Sequence, residues 1–228
     1  MGEAINIDKN YVKYKWYLKS YVKRDGVDKL LEYLDKSDAV SCPASTKYHL
    51  SCEGGFIQHS LNVFNRLFTL LKNEYGDNIP YTKESIALVA LLHDISKVNY
   101  YKVSTRNVKD ENGKWTSVPF YTVREDDEKL VFGTHEENSI EIISQFINLT
   151  YEEKIAILYH MGSNSEAADA YHEARKMTAY KKVSLAVWLY AADMLATCID
   201  EVETIEEVGK VEQDNQQAVG NTEEQVPF

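Results

Sequence analysis

His59, His93-Asp94, His135, His160 and Asp193 mark five separated places where a metal-binding side chain interrupts or ends an apolar, helix-patterned run. Water solvates such groups easily, whereas an apolar core holds them only at a cost of several kcal/mol unless a partner or a metal compensates. His93-Asp94 follows IALVALL, His160 follows KIAILY, and Asp193 sits inside LAVWLYAADMLA. The pattern implies a buried centre that collects nitrogen and carboxylate donors.

Neutral imidazoles and carboxylates suit iron, manganese or zinc, whereas an all-oxygen set would suit magnesium. Adjacent helical residues project about 100° apart. His93 and Asp94 could therefore share a cation only if it lay between them, leaving the second Asp94 oxygen for another. Lys97, three residues after Asp94, falls on the same helical face. It either neutralises charge on an anionic substrate or snorkels from the end of a buried helix. His160 also suits the C-terminus of a helix, and His135 a helix start. Glu136 and Glu137 could orient ligands from behind but read more simply as ordinary first-turn acids. His49, close before the glycine pair, could approach the site, yet it and His172 fall outside the ligand pattern. No GxSxG elbow or P-loop offers a rival apparatus.

These residues must be positioned mostly by helices. The start, Lys9 to Arg24, reads as a helix with aromatic packing and a solvated cationic face. Val27 to Leu34 forms a short helix after an Asp25-Gly26 turn. A helix from about Phe56 to Asn73 carries an apolar face through Leu61, Phe64, Leu67 and Leu71. Thr82 is the expected N-cap of a helix from about Lys83 to Val98, apolar nearly all round and hence central. Further helices are expected over about Glu136–Phe146, from a Thr150/Glu153 capping box to His160, and over about Val183–Glu201.

The exception runs from Tyr100 to Val131. There β-branched and aromatic residues alternate with polar ones around Asn112-Gly113, which predicts a β-hairpin. Lys102, Arg106 and Arg124, interleaved with aromatic residues, suit contact with phosphates and nucleobases. Equally, the aromatic residues could pack the hairpin onto the body while the cations are solvated.

The chain of 228 residues carries a net charge of −11, of which −7 lies from Glu201 onward, leaving the body only mildly acidic at −4. That balance argues against gripping long duplexes through phosphates but allows a small anionic substrate. Residues 201–228 read as a solvated, disordered acidic tail. No apolar run approaches the roughly 20 residues that span a bilayer. Cys42, Cys52 and Cys198 lack CxxC spacing and read as reduced thiols, which places the protein in the cytoplasm with no membrane partner.

The order H…HD…H…H…D, with GGFIQHSLNV, LLHDISK and AADML as its contexts, resembles the HD-domain superfamily of metal-dependent phosphohydrolases, in its six-ligand branch. The resemblance spans about Gly54 to Thr197. It implies an all-α helical bundle at 54–200, with the hairpin (100–131) inserted after the HD helix and residues 1–53 packed on it. It further implies two divalent transition metals, manganese or iron foremost, with zinc, cobalt or nickel also suitable. His59, His93, Asp94 and Asp193 would hold the first; Asp94, His135 and His160 would hold the second.

By resemblance, Asp94 and Lys97 become the catalytic candidates, in a hydrolase that cleaves a phosphate ester of a nucleotide, dinucleotide or short single strand through a metal-bridged hydroxide. Two other readings stay open: a mixed-valent di-iron oxygenase with the same ligand order, and a catalytically silent nucleotide-binding module. One consequence follows directly from composition. Deleting the residues beyond Glu201 should leave activity unchanged, and a truncation that lost turnover would show the tail to be more than an appendage.

Overall fold

The computed structural model describes residues 5–109, 113–125, 133–165 and 169–202. Eight α-helices and one hairpin are present among them: α1 (Ile7–Tyr21), α2 (Val27–Asp35), α3 (Gly55–Tyr75), α4 (Lys83–Leu92), β1 (Tyr101–Lys109), β2 (Trp115–Val123), α5 (His135–Ser144), α6 (Tyr151–Leu158), α7 (Ala170–Lys182) and α8 (Ser184–Leu195). The expected all-α architecture with an inserted hairpin is therefore present. No single described helix is long and apolar enough to cross a membrane. The proposed acidic tail, from residue 203 onward, lies outside the described residues, as does Asn112 of the hairpin turn.

α3 and α4 form the centre. Residues Ile86 to Leu92 of α4 are all buried, so this helix is enclosed on every side. α3 packs against α4, α8 and α1, and α6 packs against α8. The N-terminal helix docks through Tyr14 and Leu18, both fully buried, with the Tyr14 ring edge-on to Phe56 at 6.1 Å. Arg24 grips the buried Glu153 carboxylate with both terminal guanidinium nitrogens, at 2.6 and 2.7 Å. Thr150 and Glu153 form the expected capping box, and Thr82 caps α4 by accepting from the Ser85 amide.

One helix ends earlier than its apolar pattern predicts. α4 stops at Leu92 instead of continuing to Val98: Asp94 leaves helical geometry (φ −110°, ψ 17°) and residues Ile95–Lys97 form a 3-10 turn. Side-chain donors explain the stop. Tyr14 Oη donates to the Leu91 carbonyl (2.7 Å) and His93 Nδ1 to the Ala90 carbonyl (3.0 Å). Both are C-terminal carbonyls that a continuing helix would have satisfied itself. Periodicity could not reveal this, because Ile95 and Val98 are buried and keep the apolar pattern unbroken. α7 had no expectation from sequence; only Lys176 is buried along it.

The hairpin pairs antiparallel from Tyr101 opposite Val123 to Lys109 opposite Trp115. Trp115 and Val103 are exposed, so the outer hairpin does not pack on the body, whereas Tyr101 at its root does.

The glycine pair before α3 has a steric reason. A Cβ on Gly55 would stand 2.1 Å from the Leu50 carbonyl oxygen and 2.8 Å from the Ala44 amide, the two groups whose hydrogen bond closes the 44–50 loop. Both obstacles are backbone and cannot swing aside. Gly55→Ala should therefore cost about 1–3 kcal/mol in chemical denaturation, and an unchanged midpoint would show that this loop is not pressed onto α3.

Candidate metal centre

Six side chains predicted as ligands converge on one point. α3 presents His59 from its interior, and the end of α4 supplies His93 and Asp94. α5 begins with His135, the turn after α6 carries His160, and α8 contributes Asp193. Asp94 stands in the middle. Its Oδ2 lies 3.4 Å from His93 Nε2 and 3.7 Å from His59 Nε2; its Oδ1 lies 3.4 Å from His160 Nε2 and 3.7 Å from His135 Nε2. Asp193 Oδ1 joins the first side, 3.2 Å from His59 Nε2. Three donor groups within metal-binding span result among the described residues: His59, His93 and Asp193; His93, Asp94 and His160; and His49, His59 and Glu201.

Three of the four imidazoles are oriented by a hydrogen bond through their other nitrogen. His93 Nδ1 and His160 Nδ1 face the Ala90 and Ile157 carbonyls, at 3.0 and 2.6 Å. A carbonyl only accepts, so the proton sits on Nδ1 and the Nε2 lone pair points inward. His59 Nδ1 lies 3.1 and 3.2 Å from the two oxygens of Glu201, whereas His135 Nδ1 lies 3.2 Å from Glu136 Oε2 without hydrogen-bond geometry. Carbonyl or carboxylate behind a histidine is the arrangement that holds a metal-binding ring in place. Both Glu136 and Glu201 differ from the expectation. Glu136 is fully buried, unlike an ordinary first-turn acid, while Glu137 does serve as the capping-box partner of Thr134. Glu201, assigned from composition to the acidic tail, is 3 % exposed.

The donor set fits a metal by a second criterion. His93 Nε2, His160 Nε2 and Asp94 Oδ1 are buried without a hydrogen-bond partner. Buried polar atoms rarely stay unsatisfied, and these three, unlike the other unpartnered buried atoms among the described residues, fall together in one donor group.

Charge is distributed unevenly. Burial opposes the charge on Lys97, yet Asp94 Oδ2 at 2.6 Å overrides it and raises the lysine pKa. Burial would raise Asp94, but Lys97 and His93 hold it well below the usual carboxylate range. Burial likewise lowers His59, but Glu201 and Asp193 override it and lift the ring to about 10. His135 is pushed down to about 4, chiefly by burial.

Beside this cluster lies a cavity of about 670 Å³. Its described lining includes Lys97, Asn138 and Asn164 together with Tyr48, Tyr100, Tyr101, Met161 and Met194. His49, set aside from the ligand pattern, also borders it, and burial pushes its pKa down to about 3. The hairpin cations are elsewhere. Lys102 pairs with Glu125 at 2.9 Å, Arg106 lies over the Phe120 ring at 5.4 Å, and Arg124 faces Asp38 at 3.5 Å.

A family model described as "HD domain" matches residues 56–197. No curated protein matches the chain, and no solved structure does.

The raised pKa of His59 carries a pH prediction. Below about pH 10 the metal-free ring holds a proton that coordination must expel. Metal affinity should rise as pH increases from 7 to 9, with at least about one proton released per chain near neutrality. Calorimetry of manganese binding in buffers of different ionisation heat reads that proton; a heat independent of buffer would contradict it.

Proposed function

The chain belongs to the HD-domain family, a superfamily of metal-dependent hydrolases, and from that membership we propose that it hydrolyses a phosphate ester of a nucleotide-like substrate. Two divalent transition metals would be held by His59, His93, Asp94 and Asp193 on one side and by Asp94, His135 and His160 on the other. The observation that carries this reading is the central carboxylate, each of whose oxygens faces its own pair of imidazole Nε2 atoms. Manganese and iron suit that nitrogen–oxygen set, as do zinc, cobalt and nickel.

When bound, such a pair supplies Lewis acidity toward a phosphoryl oxygen and makes a water acidic enough to act as nucleophile near neutral pH. The protein's own groups do the rest. Lys97 keeps its proton because Asp94 stabilises the charge, and it borders the cavity, so its ammonium can meet the negative charge that grows on the phosphoryl group. The tyrosine and methionine walls exclude water and offer faces for a base, while Asn138 and Asn164 offer amides for orientation. The volume suits a mononucleotide-sized body.

A short single strand would extend past Tyr100 and Tyr101 toward the hairpin. Lys102, Arg106 and Arg124 are then candidates for contact with such a longer substrate, while a mononucleotide would not reach them.

Asp94→Ala should remove both metals and all activity, because it deletes the shared donor. Lys97→Ala should retain the metals and lower phosphate release by about 10²–10³-fold, measured on phosphomonoesters, phosphodiesters and dinucleotides. Metal loss in Lys97→Ala would reassign that lysine to structure. Oxygen consumption without phosphate release would favour the di-iron oxygenase, and loaded metal with neither reaction the binding module.

A further inference from the structure

The family match ends at residue 197, yet the chain re-enters the site after it. Beyond α8, residues Ala196–Asp200 form a wider π turn, a local change of helical register that often accompanies functional sites. The turn brings Glu201 back against α3. There its carboxylate meets His59 Nδ1 through both oxygens, at 3.1 and 3.2 Å, and accepts from Asn62 Nδ2 at 2.9 Å. One residue earlier, Asp200 is held by Arg66, whose Nε lies 2.8 Å from Oδ2. Asn62 and Arg66 follow His59 by about one and two turns on α3. One helix face thus carries the candidate ligand and both anchors of the returning strap.

We propose that Glu201 is a positioning residue for His59, and that residues 196–201 belong to the metal centre although they lie at or beyond the end of the family's match. The inference rests on the two-metal reading of the site. Glu201 fixes the ring plane of His59, and its negative charge makes Nε2 a stronger donor toward a cation on the Asp193 side. His49 Nε2 lies 3.9 Å from the far oxygen of Glu201, beyond hydrogen-bond reach, so the shorter contacts of that carboxylate are the ones to His59 and Asn62.

The test is manganese titration of the metal-stripped full chain, comparing wild type with Glu201→Gln and Glu201→Asp. Thermal melts of each stripped form and visible spectra of each cobalt-loaded form accompany it. Glu201→Gln keeps the side-chain volume and an oxygen for Asn62 but loses the charge. It should bind about 10–100-fold more weakly in one of the two steps, with a cooperative melt retained and an altered cobalt spectrum. Glu201→Asp should recover part of the affinity, which a space-filling role would not predict. Wild-type affinity and spectrum in Glu201→Gln would overturn the proposal, as would metal loss only in protein that has already lost its cooperative melt. A wild-type chain that takes up no cation would instead remove the metal reading itself, and this inference with it.

Discussion

Asp94 is a buried carboxylate set among four imidazoles and an ammonium, and most of the fold can be understood as what makes that burial tolerable. An isolated charge at 2 % exposure would abandon its charge before it folded. Lys97 stabilises one oxygen directly, at 2.6 Å, while the other has no hydrogen-bond partner. Three of the imidazoles are nine-tenths or more buried, and two of those keep an unpartnered Nε2. An arrangement that gathers this many donors around an unsatisfied oxygen makes physical sense when a cation completes it.

The surrounding helices are terminated to serve that point. α4 stops at Leu92 because Tyr14 and His93 take its carbonyls, and α6 stops before His160, which turns the same Nδ1 device on Ile157. α5 starts at His135 under the Thr134 capping box. Ser139 on α5 hydrogen-bonds both the amide and the hydroxyl of Ser96, tying the turn that carries Lys97 to the helix that carries His135. The N-terminal segment takes part as well: Tyr14 supports the dyad from below, and Cys42 Sγ donates to the Lys97 carbonyl at 3.2 Å. Side chains far apart in sequence thus fix the backbone on which the donors sit.

What sequence revealed and what it hid follow one physical division. Polar residues that break apolar runs are conspicuous, so His59, His93, Asp94, His160 and Asp193 could be picked out, and His135 could be added from the order of the series. Asn-Gly marked the hairpin because a tight turn needs positive φ, and Gly113 indeed has φ +74°. Groups that stand behind the donors left a weaker signal. Glu136 sits among the acids normal to a first helical turn, and Glu201 opens a run of acids whose composition suggests solvent. Their burial depends on which way a chain turns, through the π turn in one case and the helix start in the other. The break after Leu92 was hidden for a related reason, since side chains from other elements end the helix while its apolar pattern continues.

Metal stoichiometry tests the central claim most directly. After reconstitution with manganese or iron, mass spectrometry should count two metals per wild-type chain and about one in His135→Ala, which strips a donor from one face of Asp94 and leaves the other intact. An equal count of one in both proteins would contradict the account, because it would make Asp94 a terminal ligand and not the bridge on which the site is built.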